Sequence, residues 1–223
     1  PLVSPALSLA TRALRGFLWN GSASVIQLGT MLALYHLLPL DKLGHFEWAL
    51  AIVMLLALIG DLGLGSALVQ LKNASDEHFD TAFWANLIWG LLVTGLIFSV
   101  APTLANLLGG QDPTTFAHIL RGFCLLIPFA SVSGLFRARL QRNLDFSAIA
   151  LSELVSVLTF GLAITSLFFL HPTLGVLIPV IGSVCREAGL LISLALSARW
   201  RPRGRFNLQA LRELLAFALN FTG

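Results

Sequence analysis

The sequence predicts an all-α protein, a polytopic membrane helix bundle of six transmembrane helices plus the start of a seventh. Three observations carry this. Of 223 residues, 57% are hydrophobic and only 11% are charged, with a mean hydropathy of +0.84, whereas a soluble domain carries about 25% charged residues. Apolar runs long enough to cross a hydrocarbon core of roughly 30 Å recur six times along the chain. Threading those runs in order also sorts the basic residues. Arg12, Arg15, Lys72, Arg137, Arg139, Arg142, Arg199, Arg201, Arg203, Arg205 and Arg212 fall on one side, and Lys42 and Arg121 on the other. Positive charge concentrates on the cytoplasmic side of membrane proteins. The asymmetry therefore predicts a multi-pass membrane protein with the N-terminus and the loops after spans two, four and six in the cytoplasm.

Residues 1–12 read as a cytoplasmic tail and residues 13–200 as a six-helix lobe. Span one, Ala13–Leu38, is too long for a signal peptide and lacks a small-x-small cleavage site. Asn20, Ser24, Gln27 and Met31 recur there at helical spacing as one polar stripe. Such a stripe either faces a water-filled cavity or supplies interhelical hydrogen bonds. Span two, Phe46–Leu71, carries Asp61 in the run Gly60-Asp61-Leu62-Gly63-Leu64-Gly65. A carboxylate is costly in hydrocarbon and glycine weakens a helix. Counting from Trp48, Asp61 lies roughly 20 Å in from the outer boundary. It reads either as an ion- or proton-coupling group beside an unwound turn, or as a helix-bend anchor that accepts hydrogen bonds from freed N–H groups.

Spans three and four are Thr81–Leu108 and Phe116–Phe136. Span five, Ser147–Leu170, carries Glu153 with Ser156 one turn on, a short polar face near the cytoplasmic end. Span six, Leu174–Ala198, carries Arg186 at its middle, the most expensive depth for a guanidinium. Arg186 reads either as a partner for the phosphate of an anionic substrate, since Arg offers bidentate geometry to phosphate, or as half of an ion pair with a carboxylate on another helix. Adjacent Glu187 points about 100° away around the helix. Trp48, Trp84 and Trp200 fall near span ends, where amphipathic rings are stable. The pairs Gly29/Ala33, Gly63/Ala67 and Ser193/Ser197 predict close helix packing. Residues 201–223 read as a basic cytoplasmic linker and the start of a seventh helix, with Asn207 as its N-cap. That helix is cut off at Gly223 and the chain starts at Pro1, so an incomplete protein is expected.

The loops are short and leave no room for a soluble catalytic domain. Cys124 and Cys185 lie within spans without metal or redox spacing, and the five histidines are scattered. No nucleophile–base pair or Gly-rich phosphate loop stands out. No catalysis, cofactor, metal or nucleic-acid partner is expected. The arginine clusters around 137–142 and 199–205 either fix topology or attract anionic lipid headgroups or a charged glycolipid.

Several motifs, taken together in order and spacing, carry a resemblance. They are Arg15-Gly16-Phe17-Leu18-Trp19-Asn20, Leu38-Pro39-Leu40-Asp41-Lys42-Leu43-Gly44, Asp61 through Gln70, Asp80-Thr81-Ala82-Phe83-Trp84-Ala85-Asn86, Arg137 to Phe146, and Arg199-Trp200-Arg201-Pro202. Over nearly its whole length the chain resembles the polysaccharide biosynthesis and export proteins, the oligosaccharide flippases of the multidrug/oligosaccharidyl-lipid/polysaccharide exporter superfamily. The resemblance implies one lobe of a two-lobe transporter around a central cavity. Such a protein passes a lipid-linked oligosaccharide or polysaccharide precursor to the outer leaflet by alternating access. The implied partners are membrane lipids, that substrate and polysaccharide polymerase machinery; the sugar follows from the resemblance alone. Arg186, Gln27, Asn20 and Glu153 are then the candidates for the substrate cavity. The alternatives are a multidrug or other small-molecule exporter of the same superfamily, a polytopic enzyme of glycolipid metabolism, and a structural membrane protein. An enzyme would need an acid or His pair at one face, and Asp41, Glu47, Asp112 and His171 are far apart in sequence.

Overall fold

The computed structural model describes residues 18–19, 21–32, 40–60, 62–110 and 112–221. Among them there is helix and no strand. The elements are α1 (21–32), α2 (Leu40–Gly60), α3 (Leu64–Gln70), α4 (Asp76–Leu108), α5 (Pro113–Cys124), α6 (Leu126–Arg142), α7 (Phe146–Leu170), a 3-10 turn at Pro172–Leu174, α8 (Leu177–Ser197) and α9 (Leu208–Phe221). Among the described residues four stretches are long and apolar enough to cross a membrane: α4, α5 with α6, α7 and α8. They coincide with predicted spans three to six. The lateral surface suits lipid, because α4 buries Gly90, Val93 and Ile97 on one face and exposes Ile88, Leu91, Leu92 and Leu96 on another. A helix apolar on every side belongs in a membrane or a large core.

Predicted span one is described only in part, and predicted span two comes out differently. Of Ala13–Leu38, only 18–19 and 21–32 are described, and Asn20 lies outside the described residues. Predicted span two is not continuous: α2 stops at Gly60, and α3 starts after Gly63, whose φ of 67° is a left-handed conformation open to glycine. At seven residues α3 is too short to cross by itself. Asp61 also lies outside the described residues. The predicted seventh helix appears as α9, whose N-cap Asn207 accepts the Gln209 N–H at 2.8 Å through its side-chain oxygen. Its 14 residues pack on α3 and α4, with Leu214 fully buried.

Two apolar cores lie at opposite ends of the bundle. One gathers Phe46, Phe116, Phe123 and Ile127 with Ile164 and Ile178. The other, at the arginine-rich end, gathers Leu64, Phe79, Phe136, Leu194, Trp200 and Leu214. From α2 to α8 each successive crossing leads from one core to the other, so neighbouring helices alternate in direction.

Helix-breaking prolines join the helices because their freed carbonyls find donors on neighbours. Pro102 cannot bond the Phe98 carbonyl one turn back; Arg121 of α5 donates its Nε–H there at 3.3 Å, its guanidinium 4.8 Å above the Phe98 ring. Pro128 likewise frees the Cys124 carbonyl at the α5–α6 break, and the buried Thr94 hydroxyl of α4 donates to it at 3.1 Å. Unsatisfied backbone groups are expensive in lipid, so each such bond fixes a helix pair.

The most extensive helix packing is between α7 and α8. A Cβ on Gly182 would sit 2.8 Å from Ile164 Cγ1, and one on Gly189 2.8 Å from Thr159 Oγ1. Ser193 donates to Ser152 across the same seam at 3.0 Å. Of the predicted small-residue positions, Gly29 meets no neighbour within 4 Å among the described residues. Ala33 lies outside them.

Candidate functional site

At the middle of the bundle α8 presents Ser183, Arg186 and Glu187 to a small cavity of about 50 Å³. Gln27 and Met31 of α1 close one side of it. Phe46, Leu50 and Met54 of α2 close another, and Val157 and Phe160 of α7 a third. The Ser183 hydroxyl is turned to its own helix, donating to the Pro179 carbonyl at 2.8 Å. Arg186 has a buried Nε with no hydrogen-bond partner, and it forms no ion pair among the described residues. A buried donor left unsatisfied costs about 1–3 kcal/mol, and more when charged. The cavity therefore holds a guanidinium with one unspent buried donor, beside the Glu187 carboxylate on the same wall. An oxyanion would satisfy it.

Two of the four residues predicted from sequence for a substrate cavity thus converge: Gln27 and Arg186 line the same space, with Met31 of the same stripe. Ser24 is exposed. Glu153 does not line this cavity; it is bonded to Arg137 across the α6–α7 pair, with both side chains partly buried. The carboxylate that the sequence could place only on a polar face is thus half of an interhelical ion pair. Glu187, expected about 100° away from Arg186, still reaches the cavity wall.

A second constellation lies at the arginine-rich end, where three motif regions meet. The Asp80 carboxylate, only 1% exposed, accepts the Arg203 N–H at 3.1 Å. The Trp84 indole donates to the Arg203 carbonyl at 2.9 Å, and the Thr81 hydroxyl oxygen accepts the Asn207 N–H at 3.1 Å. Trp200 enters an aromatic cluster, its ring centroid 5.2 Å from Phe136 and 5.7 Å from Phe79. From α6, Arg139 pairs with Asp76 at 2.8 Å and lies 4.9 Å above Phe79. Arg142 closes α3 by donating to the Leu68 and Leu71 carbonyls at 2.7 and 2.6 Å.

These groups clasp the linker 199–207 and α3 to the start of α4 and the end of α6. Sequence reasoning gave Arg137, Arg139 and Arg142 only a charge role, since no spacing rule connects a guanidinium to carbonyls some seventy residues away. The one available signal was Asp80, Thr81 and Trp84, polar groups at i, i+1 and i+4 on one face of a helix start.

At the opposite end Asp112 caps α5. Hydrogen bonds from Thr115, side chain and backbone, and then from Thr114 hold its carboxyl down at about 2. Among the described residues no group of three or more His, Cys, Asp or Glu side chains is placed to hold a metal ion.

The sequence profile of a family described as polysaccharide biosynthesis protein matches residues 34–223. The chain is 23% identical over 217 residues to the teichuronic acid biosynthesis protein TuaB of Bacillus subtilis, covering 94% of this chain and 44% of that protein. It is 32% identical over 199 residues to the succinoglycan biosynthesis transport protein ExoT of Rhizobium meliloti, covering 87% of this chain and 38% of that protein. With the lipopolysaccharide biosynthesis protein WzxC of Escherichia coli it shares 26% identity over 156 residues, 68% of this chain and 31% of that protein. The chain thus spans less than half the length of these curated relatives. No solved structure matches it.

Proposed function

This chain belongs to the polysaccharide biosynthesis protein family, and from that membership we propose that it forms one lobe of a two-lobe membrane transporter. The transporter passes a lipid-linked oligosaccharide or polysaccharide precursor from the cytoplasmic to the outer leaflet by alternating access. The observation that carries the mechanism is Arg186, a guanidinium in mid-bundle with an unpartnered buried Nε, facing Gln27 across one cavity. A diphosphate linking lipid and sugar supplies oxygens for the bidentate geometry that Arg offers, and Gln27 offers an amide to the same group.

A space of about 50 Å³ holds water rather than a sugar, a water's share of liquid volume being about 30 Å³. Admission of cargo therefore requires α1 and α2 to part from α7 and α8. The α2–α3 break, with Gly63 in the left-handed region, is the place where α2 can pivot. Asp61 sits at that pivot in sequence, as the coupling group or the bend anchor. In this reading the arginine-rich end faces the cytoplasm, as does the N-terminus, and the protein lies in the inner membrane. It works alongside polysaccharide polymerase machinery and performs no catalysis of its own.

The roles for which the relatives are named, teichuronic acid, succinoglycan and lipopolysaccharide biosynthesis, favour a glycan cargo over a small-molecule drug. The test is reconstitution of the full-length protein into vesicles carrying a lipid-linked oligosaccharide on one leaflet. Transfer to the other leaflet faster than in protein-free vesicles is the expected result. Transfer at the protein-free rate, with efflux of a cationic dye instead, overturns the glycan reading in favour of a drug exporter.

A further inference from the structure

The clasp at the arginine-rich end encloses a cleft of about 460 Å³ between the start of α4, the last turn of α8 and the linker after it. Four arginines, Arg139, Arg199, Arg201 and Arg203, line it with two aspartates, Asp76 and Asp80. Both carboxylates are already engaged, Asp76 by Arg139 and Asp80 by the Arg203 N–H. The side chains of Arg199, Arg201 and Arg203 form no hydrogen bond or ion pair among the described residues. The cleft therefore carries an unneutralised positive field.

Basic residues that serve only to orient a membrane protein need no fixed geometry. Here the backbone that bears them is fixed along its length. Arg199 has φ 50°, a conformation that L side chains rarely adopt. Trp200 is anchored among Phe79, Phe83 and Phe136, and Arg203 is held at both its N–H and its carbonyl. Three arginines with unpartnered side chains are thus carried on a linker already held at Trp200 and Arg203, so an anion need not order that backbone. The cleft also has an apolar wall: Leu196 of α8 lines it and is 73% exposed. A ligand that satisfies both features is anionic at one end and aliphatic at the other.

We propose that this cleft binds the phosphate of an anionic phospholipid, with Arg199, Arg201 and Arg203 around the headgroup and an acyl chain along Leu196. The site is independent of the transport reading and of Arg186. Bound lipid would bridge α8, the linker and α4, and so brace the segment that leads into α9.

The test uses the full-length protein in detergent, with dioleoylphosphatidylglycerol, dioleoylphosphatidylcholine and inorganic phosphate as separate probes, read by native mass spectrometry and by the shift in thermal unfolding. Retention of phosphatidylglycerol above phosphatidylcholine is expected. Each arginine near an anionic lipid contributes about fivefold in affinity, so Arg199→Gln with Arg201→Gln lowers phosphatidylglycerol affinity about 25-fold. Arg205→Gln, outside the cleft, leaves it unchanged. Should the double variant fail to fold, Arg201→Gln alone, which breaks no hydrogen bond, carries the test with a loss of about fivefold. Unchanged lipid affinity in the arginine variants overturns the proposal, as does an equal loss in Arg205→Gln, which would mark diffuse surface charge. Inorganic phosphate displacing the lipid at equal concentration would mark a free-phosphate site and overturn the lipid assignment.

Discussion

Arg142 holds the end of α3 more firmly than its position in a basic cluster suggests, and its removal has a calculable effect. Its Nη1 lies 2.7 Å from the Leu68 carbonyl and 2.6 Å from that of Leu71, with a longer approach of 3.4 Å to Val69, and its Nη2 lies 3.4 Å from the Lys72 carbonyl. The two short bonds are charge-assisted, worth about 1.5–3 kcal/mol each. Water reaches part of this rim and replaces part of what is lost, which brings Arg142→Ala to about 2–4 kcal/mol against local opening of α3. That energy is roughly a 30- to 900-fold increase in the opening equilibrium. Lys72, exposed directly after α3, reports it. Trypsin cleavage after Lys72 in the full-length protein, followed by peptide mass, accelerates by that factor when cleavage is slow relative to reclosing. Arg142→Lys keeps the charge but has a shorter stem and no second nitrogen to approach the Lys72 carbonyl, and is intermediate. An Arg142→Ala protein cut after Lys72 at the native rate would refute the reasoning.

Other consequences are equally open to measurement. Gly189→Val forces a methyl-bearing carbon to 2.8 Å from Thr159 Oγ1, destabilising the α7–α8 seam by about 1–3 kcal/mol; equilibrium unfolding in mixed micelles reads this, and adding Thr159→Ala recovers most of it. Asp80→Ala leaves the Arg203 N–H without its buried acceptor, costing about 1–3 kcal/mol, and speeds trypsin cleavage at Arg203 and Arg205, whereas Asp80→Asn, which keeps an acceptor, does not. The Asp112 carboxyl is held at about 2, below its ordinary 3.8. Its contribution to the α5 start is therefore fully present above about pH 4 and is lost as pH falls towards 2. Hydrogen exchange at Thr115 follows that window in the native protein, and the window is absent in Asp112→Asn.

What was legible in the sequence followed from periodicity and charge. The four long spans from Thr81 to Ala198 were readable because apolar length in lipid is nearly a sufficient condition for helix, and Asn207 because an N-cap is a local event. The break near Gly63 was visible as glycines around a costly carboxylate, yet its consequence, two separate helices, depends on how α3 docks beneath α6 and α9. Arg186 and Gln27 could each be picked out as polar groups at the wrong depth. That they share one cavity is a matter of helix rotation, which composition does not encode. Glu153 looked equivalent by the same criterion, but Arg137, one helix away, engages it. The clasp was the least legible part, because bonds such as Arg142 to Leu68 and Asp80 to Arg203 join residues far apart in sequence.

In the proposed mechanism the mid-bundle cation engages the charged linkage of a lipid-linked glycan. The most direct test of this is the initial rate of leaflet transfer of a lipid-linked oligosaccharide by full-length protein in vesicles, native against Arg186→Ala, with insertion and thermal unfolding matched. The account predicts a folded, inserted variant whose transfer falls to the protein-free rate. Transfer by Arg186→Ala at the native rate would contradict it.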